Sequence, residues 1–147
     1  MKALIQRVSE AKVIIENNVV SEIGKGILLF LGVEKGDTTN DIEYLTKKIM
    51  NLRIFEDNNK KMNLSILDVN GEILVVSQFT LLANCKKGNR PSFDNAEEPS
   101  KAINIYENFI NKLSIPGINI KTGRFGAYMQ IYLINDGPVT IILDSKK

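Results

Sequence analysis

Two stretches of this chain carry more polar chemistry than their apolar surroundings require. Ser77-Gln78-Phe79-Thr80-Leu81 closes the run Ile73-Leu74-Val75-Val76, and Asn135-Asp136-Gly137-Pro138-Val139-Thr140 lies between two apolar runs near the C-terminus. The hydroxyls of Ser77 and Thr80 are possible nucleophiles, but each needs a neighbouring base to take its proton. The chain contains no histidine, which removes His-based triads, His-ligated zinc and the commonest general base. Neither stretch holds a well-placed lysine or carboxylate; only Asp136 is close in sequence. Gly137 lacks a side chain and Pro138 has a fixed φ, so their carbonyls can press close to a ligand as a stiff main-chain probe. The plain alternative is an ordinary turn between two strands.

The elements that position these residues must come from a chain of 147 residues, a length that suits one domain spanning residues 1–147. Hydrophobic residues make up 44% and charged residues 24%, the balance of a globular chain. No apolar run approaches the roughly 18 residues that span a bilayer. Gln6 and Arg7 arrive too early for a signal-peptide core, and the expected location is the cytoplasm. With one cysteine, Cys85, no disulfide within the chain is possible. Lys86 and Lys87 beside it would favour a reactive thiolate, against the plain reading of an incidental loop cysteine. Cysteine-only zinc fails for want of ligands, so no metal is expected. The net charge of +2 is too small to point to nucleic acid by itself. Any RNA contact must be local, with Lys86, Lys87 and Arg90 the first choice; a solvated surface is the alternative.

Period and punctuation give the order of elements. Lys2 to Val8 and Lys12 to Glu16 read as strands, with a tight turn at Asn17-Asn18 and Val19-Val20 beyond it. Ile27 to Leu31 is wholly apolar, as in a strand buried on both faces. Asp37 to Asn40 supply capping side chains, and Ile42, Leu45, Ile49 and Leu52 then form one helical stripe that leaves Lys47 and Lys48 in water. Leu52 to Phe55 reads as a strand and Asp57 to Lys61 as a polar loop. Ile66 to Val69, Asn70-Gly71 and Glu72 to Val76 read as a hairpin. Pro99 opens a second helix whose stripe is Ala102, Ile103, Tyr106, Phe109, Ile110 and Leu113. Short strands are expected at Ile118 to Lys121, Met129 to Ile134 and Val139 to Leu143, with a turn at Asp136-Gly137. Many strands and two helices out of strict alternation argue an α+β fold.

The two polar stretches together resemble the paired signature of the D-aminoacyl-tRNA deacylases. Ile5-Gln6-Arg7-Val8, Gly32-Val33, Leu52-Arg53-Ile54-Phe55, Lys87-Gly88-Asn89-Arg90-Pro91-Ser92-Phe93 and Gly123-Arg124-Phe125-Gly126-Ala127 also fall where that family has similar residues, so the resemblance covers essentially the whole chain. Tyr128 is a departure, since many bacterial members carry Asp there. The resemblance implies mixed, largely antiparallel sheets in a partly closed, barrel-like sandwich with two main amphipathic helices. It implies an enzyme, without metal or other cofactor, that hydrolyses the ester joining a D-amino acid to the 3′ end of a tRNA. It further implies a homodimer in which a Gly–Pro pair with a cis peptide bond, here Gly137 and Pro138, enters the partner's site.

Members of that family are understood to use no protein nucleophile, the 2′-hydroxyl of the terminal ribose assisting instead. That hydroxyl already neighbours the ester, so alignment supplies much of the advantage. Backbone N–H groups around Phe79 and Thr80 would then stabilise the developing oxyanion. On this reading Ser77, Gln78, Phe79 and Thr80 form the catalytic segment, and Ser77 positions Gln78 or the substrate. Gly137 and Pro138 grip the amino group, Arg7 fixes their carbonyls, Met129 lines the pocket, and Lys86, Lys87 and Arg90 meet the tRNA. A pocket that rejects L side chains by contact cannot reject glycine, so glycyl-tRNA is an expected substrate. A non-catalytic RNA-binding module, an esterase built on Thr80 and a purely structural homodimer are the competing readings.

Overall fold

The computed structural model describes residues 1–147. Its strands are β1 (Lys2–Ile15), β2 (Asn18–Ile23), β3 (Gly26–Gly32), β4 (Phe55–Glu56), β5 (Met62–Leu64), β6 (Glu72–Ser77), β7 (Asn119–Thr122) and β8 (Gln130–Asp144), with helices α1 (Thr39–Asn51) and α2 (Pro99–Leu113). The main sheet runs β2-β1-β3-β6-β7, with β8 on the free side of β1. β1 pairs antiparallel with β2, β3 and β8, whereas β3–β6 and β6–β7 are parallel. The two parallel steps are the crossovers that contain α1 and α2, as parallel neighbours require.

β1 organises the sheet. Its first half, Lys2 to Val8, pairs with β3, and its second half, Ala11 to Ile15, pairs with β2. Register shifts against β8 between Gln6 and Val8 and between Val8 and Glu10 turn the strand between these halves. Ala3 and Ile5 therefore join the core beneath the helices, while Val8, Ala11, Val13 and Ile15 join a second core on the other face. β3 and β6 serve both: Leu29, Leu31, Ile73 and Val75 face the helices, and Leu28, Leu74 and Val76 face the curled end of β1. This is why Ile27 to Leu31 is apolar throughout. The result is a mixed sheet, nearly closed into a barrel, as the resemblance implied, with the helices of the α+β reading.

Both helices follow their stripes. Asp41 accepts from the Thr38 backbone N–H at 2.8 Å in a capping box, and Pro99 occupies the first turn of α2. Ile42, Leu45 and Ile49 face Tyr106, Phe109 and Leu113 in the shared core. No helix is long and apolar enough to cross a membrane.

Four local expectations are corrected. Ile66 to Val76 is not a hairpin: Ser65 to Gly71 forms coiled turns, with Val69 N–H donating to Ser65 O at 3.3 Å and Gly71 N–H to Ile66 O at 3.1 Å. The Asp68 carboxylate caps this segment through the Ser65 N–H and Oγ, both at 2.8 Å. Asn70 does take the positive φ of 48° that Asn-Gly favours, but it ends a helical turn rather than joining two strands. Leu52 to Ile54 is not strand; only Phe55–Glu56 pairs, with β5 across the Asp57 to Lys61 loop. The strands read separately at Lys2 to Val8 and Lys12 to Glu16 form one strand, and the turn after it sits at Glu16 and Asn17, φ 49° and 64°. Finally, Met129 to Ile134 and Val139 to Leu143 do not fold back on each other. They belong to the single strand β8, because β1 continues alongside both halves and offers partners throughout.

Candidate functional site

β6 delivers the first polar stretch. Ser77 is its last residue, and the Gln78 N–H donates to Leu31 O at 2.8 Å, continuing the parallel ladder by one step. Phe79–Leu82 then winds into one 3-10 turn with Leu82 buried beneath it. Phe79 and Thr80 open this turn, so their N–H groups have no acceptor behind them within it. Phe79 is 55% exposed and meets Phe93 edge-to-face, with ring centroids 5.0 Å apart.

A cavity of about 550 Å³ opens at this point. Ser77, Gln78 and Phe79 form one wall, the Phe125 to Met129 segment another, and Phe93 with Ala96 to Pro99 at the start of α2 a third. Its lining is mostly apolar, with polar groups at Ser77 and Gln78 and the carboxylate residues Glu97 and Glu98 at the start of α2, the make-up of a small-molecule site. Met129 is among its lining residues. Gly123 permits that placement: a Cβ there would lie 2.8 Å from the Met129 sulfur. The segment is anchored below by Gly123 N–H to Val75 O at 3.0 Å and by Tyr106 Oη donating to the same carbonyl at 3.0 Å. Burial pushes the Tyr106 hydroxyl well above its ordinary pKa, so it remains a donor.

Thr80 is exposed and is not part of the cavity wall. Its hydroxyl accepts from the Gln78 amide, and no carboxylate or amine bonds it. The geometry therefore gives Thr80 no general base. Asp136, the only acid near the two motifs in sequence, is directed elsewhere: its carbonyl accepts from Arg7 Nε at 2.7 Å, and its carboxylate lies 4.0 Å from the same nitrogen.

The second stretch lies within β8. Between the pairs Gln6–Thr140 and Val8–Asn135, the single residue Arg7 of β1 faces Asp136 to Val139 of β8, so the chain bulges outward. The Asn135 side chain closes the bulge, accepting from Val139 N–H at 2.8 Å and donating to Val139 O at 3.2 Å. Arg7, buried on β1, donates to Asp136 O and, at 2.7 Å, to Ile54 O. The Gly137–Pro138 peptide is cis, and Gly137 has φ +150°. A Cβ on Gly137 would come within 2.8 Å of Val139 N and Cγ2, so glycine is required there.

Gly137 and Pro138 are exposed and do not line the cavity of their own chain. The ladder explains the distance. Ser77 pairs with Leu31, Leu31 with Ala3, and the bulge faces Arg7, four positions further along β1. That is about 13 Å along the strands and three strand spacings across. On the same outward face of β8, Tyr132, Ile134 and Ile142 are 45%, 46% and 72% exposed.

Lys86, Lys87 and Arg90 are all exposed on one loop, closed at its foot by reciprocal backbone hydrogen bonds between Asn84 and Ser92 at 2.8 and 3.0 Å. Phe93 follows that foot and reaches Phe79, which ties the basic loop to the cavity rim. Cys85 is exposed on the same loop. Sequence reasoning about the site missed Phe93, Phe125 and Ala96 to Pro99 as walls. Phe93 and Phe125 stood inside segments that carried the resemblance, but nothing local marked them as facing the same space as Ser77.

Comparison with known proteins bears on this geometry. The profile of the family described as D-Tyr-tRNA(Tyr) deacylase matches residues 4–144. The chain belongs to that family. A D-aminoacyl-tRNA deacylase of Thermodesulfovibrio yellowstonii is 58% identical over 99% of this chain and 100% of its own length. One from Clostridioides difficile is 53% identical over 100% and 99%. Among solved structures, a protein described as c-Myc DNA Unwinding Element Binding Protein superposes with a TM-score of 0.93 at 44% identity, covering 98% of both chains. A probable eukaryotic D-amino acid tRNA deacylase superposes at 0.78 with 16% identity over 97% of each, a likeness of fold.

Proposed function

We propose that this chain hydrolyses the ester of D-aminoacyl-tRNA, releasing the free D-amino acid and the tRNA, and that it does so in the cytoplasm. Membership of the deacylase family supports the reaction class, and one observation carries the rest: Ser77, Gln78 and Phe79 wall the cavity, while the Thr80 hydroxyl stands outside it and bonds only the Gln78 amide. The 2′-hydroxyl of the terminal ribose then assists the cleavage of the neighbouring ester. The N–H groups of Phe79 and Thr80, without acceptors in their turn, stabilise the oxyanion as it forms. Gln78 and the ring of Phe79 hold the terminal adenosine, and Met129 lines the wall behind it. The basic loop of Lys86, Lys87 and Arg90 meets phosphates of the tRNA.

Handedness is judged by Gly137 and Pro138 of a second copy. Their own cavity is too far along and across the sheet to receive them, and the apolar residues beside them on β8 suit a contact between two copies. Arg7 acts as a positioning residue that sets the direction of the Asp136 carbonyl and so of the bulge. A rigid main-chain wall leaves no room for an L side chain but admits hydrogen, so D-aminoacyl and glycyl esters are both cleaved.

The test is deacylation of matched D-tyrosyl-, L-tyrosyl- and glycyl-tRNA by the purified protein, with its mass in solution measured alongside. The first and third should be cleaved, the second spared, and the mass should be that of a dimer. Equal cleavage of both enantiomers would favour a generic esterase. Salt-sensitive binding of tRNA without turnover would favour the RNA-binding module.

A further inference from the structure

Tyr128 is 91% exposed, more than any other large hydrophobic side chain of the protein. It stands on the rim of the cavity described above and also lines a second one, of about 480 Å³, which adjoins it along Ala127 and Tyr128. The far walls of this second cavity are Ile14 to Asn17, at the turn after β1, together with Arg124 and Gln130. Gly126, with φ +74°, and the hydrogen bond from Ala127 N–H to Arg124 O at 3.2 Å fold the chain so that Arg124 and Tyr128 border the same space. No hydrogen bond or ion pair within the protein engages the Arg124 guanidinium, and no ring packs on Tyr128. An aromatic face, a free guanidinium and the amides of Asn17 and Gln130 therefore surround one small cavity beside the reaction site.

We propose that this second cavity is a nucleotide subsite, in which Tyr128 stacks on the base preceding the terminal adenosine and Arg124 meets the phosphate joining the two. The inference rests on the deacylase reading and extends it by one nucleotide. With the terminal adenosine in the first cavity, the next base needs a flat apolar partner across the shared rim, and an aromatic face accepts any base. Glu16 on the far wall repels phosphate, which places the backbone on the Arg124 side and the base over the ring. The subsite makes Tyr128 a positioning residue for the polynucleotide, without contact to the ester.

The test compares two esters with the full-length protein: D-tyrosyl-adenosine, a single nucleoside, and a D-tyrosyl trinucleotide ending in cytidine, cytidine and adenosine. Tyr128→Ala should lower kcat/KM about tenfold more on the trinucleotide than on D-tyrosyl-adenosine, the size of one base–aromatic stack. Tyr128→Phe, which keeps the ring, should restore the trinucleotide rate. Arg124→Ala should weaken the trinucleotide alone and flatten its salt dependence. If Tyr128→Ala affects both esters equally, or neither, the subsite is overturned while the deacylase reading stands. A variant whose assembly mass changes also overturns it, since the ring would then serve a contact between copies. If the unaltered protein cleaves neither ester, the deacylase reading falls and the subsite with it.

Discussion

The two polar interruptions look alike in the sequence but are built in opposite ways. At Ser77 the strand ends, and the chain turns so that its polar groups line a concave site. At Asn135 to Val139 the strand continues, and the extra residues are pushed outward as a pinned bulge. The first is a wall and the second a probe. The difference arises from the neighbours: β6 runs out of partner at Leu31 of β3, whereas β8 has β1 beside it on both sides of the interruption. On the proposed function, a projection too distant for the cavity of its own chain is used by a second copy.

The comparison is broken most severely at Arg7. Replacing it with Ala leaves the carbonyls of Ile54 and Asp136 without their donor and empties a buried position. A loss of about 2–4 kcal/mol of stability is expected, read by denaturant unfolding, together with loss of nearly all deacylation. Arg7→Lys should fold better than Arg7→Ala but recover little activity, because one ammonium cannot span both carbonyls in the guanidinium's fixed geometry.

Gly137→Ala sharpens the comparison, since it alters the probe and spares the wall. The new Cβ collides with Val139, so the bulge must reshape. We expect D-aminoacyl-tRNA turnover to fall about a hundredfold, in line with the sensitivity of reaction rates to ångström-scale misplacement, with a midpoint of thermal unfolding only a few degrees lower. Unchanged turnover would remove the bulge from the mechanism.

Tyr106→Phe tests the scaffold under the wall. The Val75 carbonyl keeps the Gly123 N–H, so removing the hydroxyl should cost about 1 kcal/mol. The pH dependence has a definite sign. The folded state holds the Tyr106 hydroxyl protonated above the ordinary value of 10.0, whereas the unfolded chain releases that proton near it. Tyr106 therefore contributes fully below about pH 10 and its contribution falls as the pH rises further. The Phe variant should show less alkaline loss in unfolding titrations.

The smallest effect is expected at Thr80. Thr80→Ala removes an exposed hydroxyl that no base activates, and activity should stay within a few-fold of the unaltered protein. Loss of a thousandfold or more would restore Thr80 as nucleophile. Substrates ending in 2′-deoxyadenosine should be cleaved far more slowly if the ribose assists.

Much of the fold was legible because local signals agreed with the global outcome. The stripes of α1 and α2, Pro99 at a helix start, and the wholly apolar Ile27 to Leu31 each carry their structure in a few neighbouring residues. The misreadings came where a local signal had two solutions. Asn70-Gly71 ends a helical turn as well as it joins a hairpin, and Asp68 capping Ser65 decided between them. Asp136-Gly137-Pro138 reads as a turn, but a long partner strand converts it to a bulge.

The site divides along the same line. Residue types alone excluded histidine chemistry, and the two polar stretches marked where the chain could meet a ligand. The sequence by itself thus determined the inventory of groups and the segments that present them. Only the tertiary structure decided that Phe93, Phe125 and the start of α2 close around Ser77, that Thr80 stands outside the cavity, and that the bulge bonded by Arg7 lies away from it. Those relations join residues far apart in the chain through sheet register and packing, and no pattern of neighbouring side chains encodes a distance across three strands.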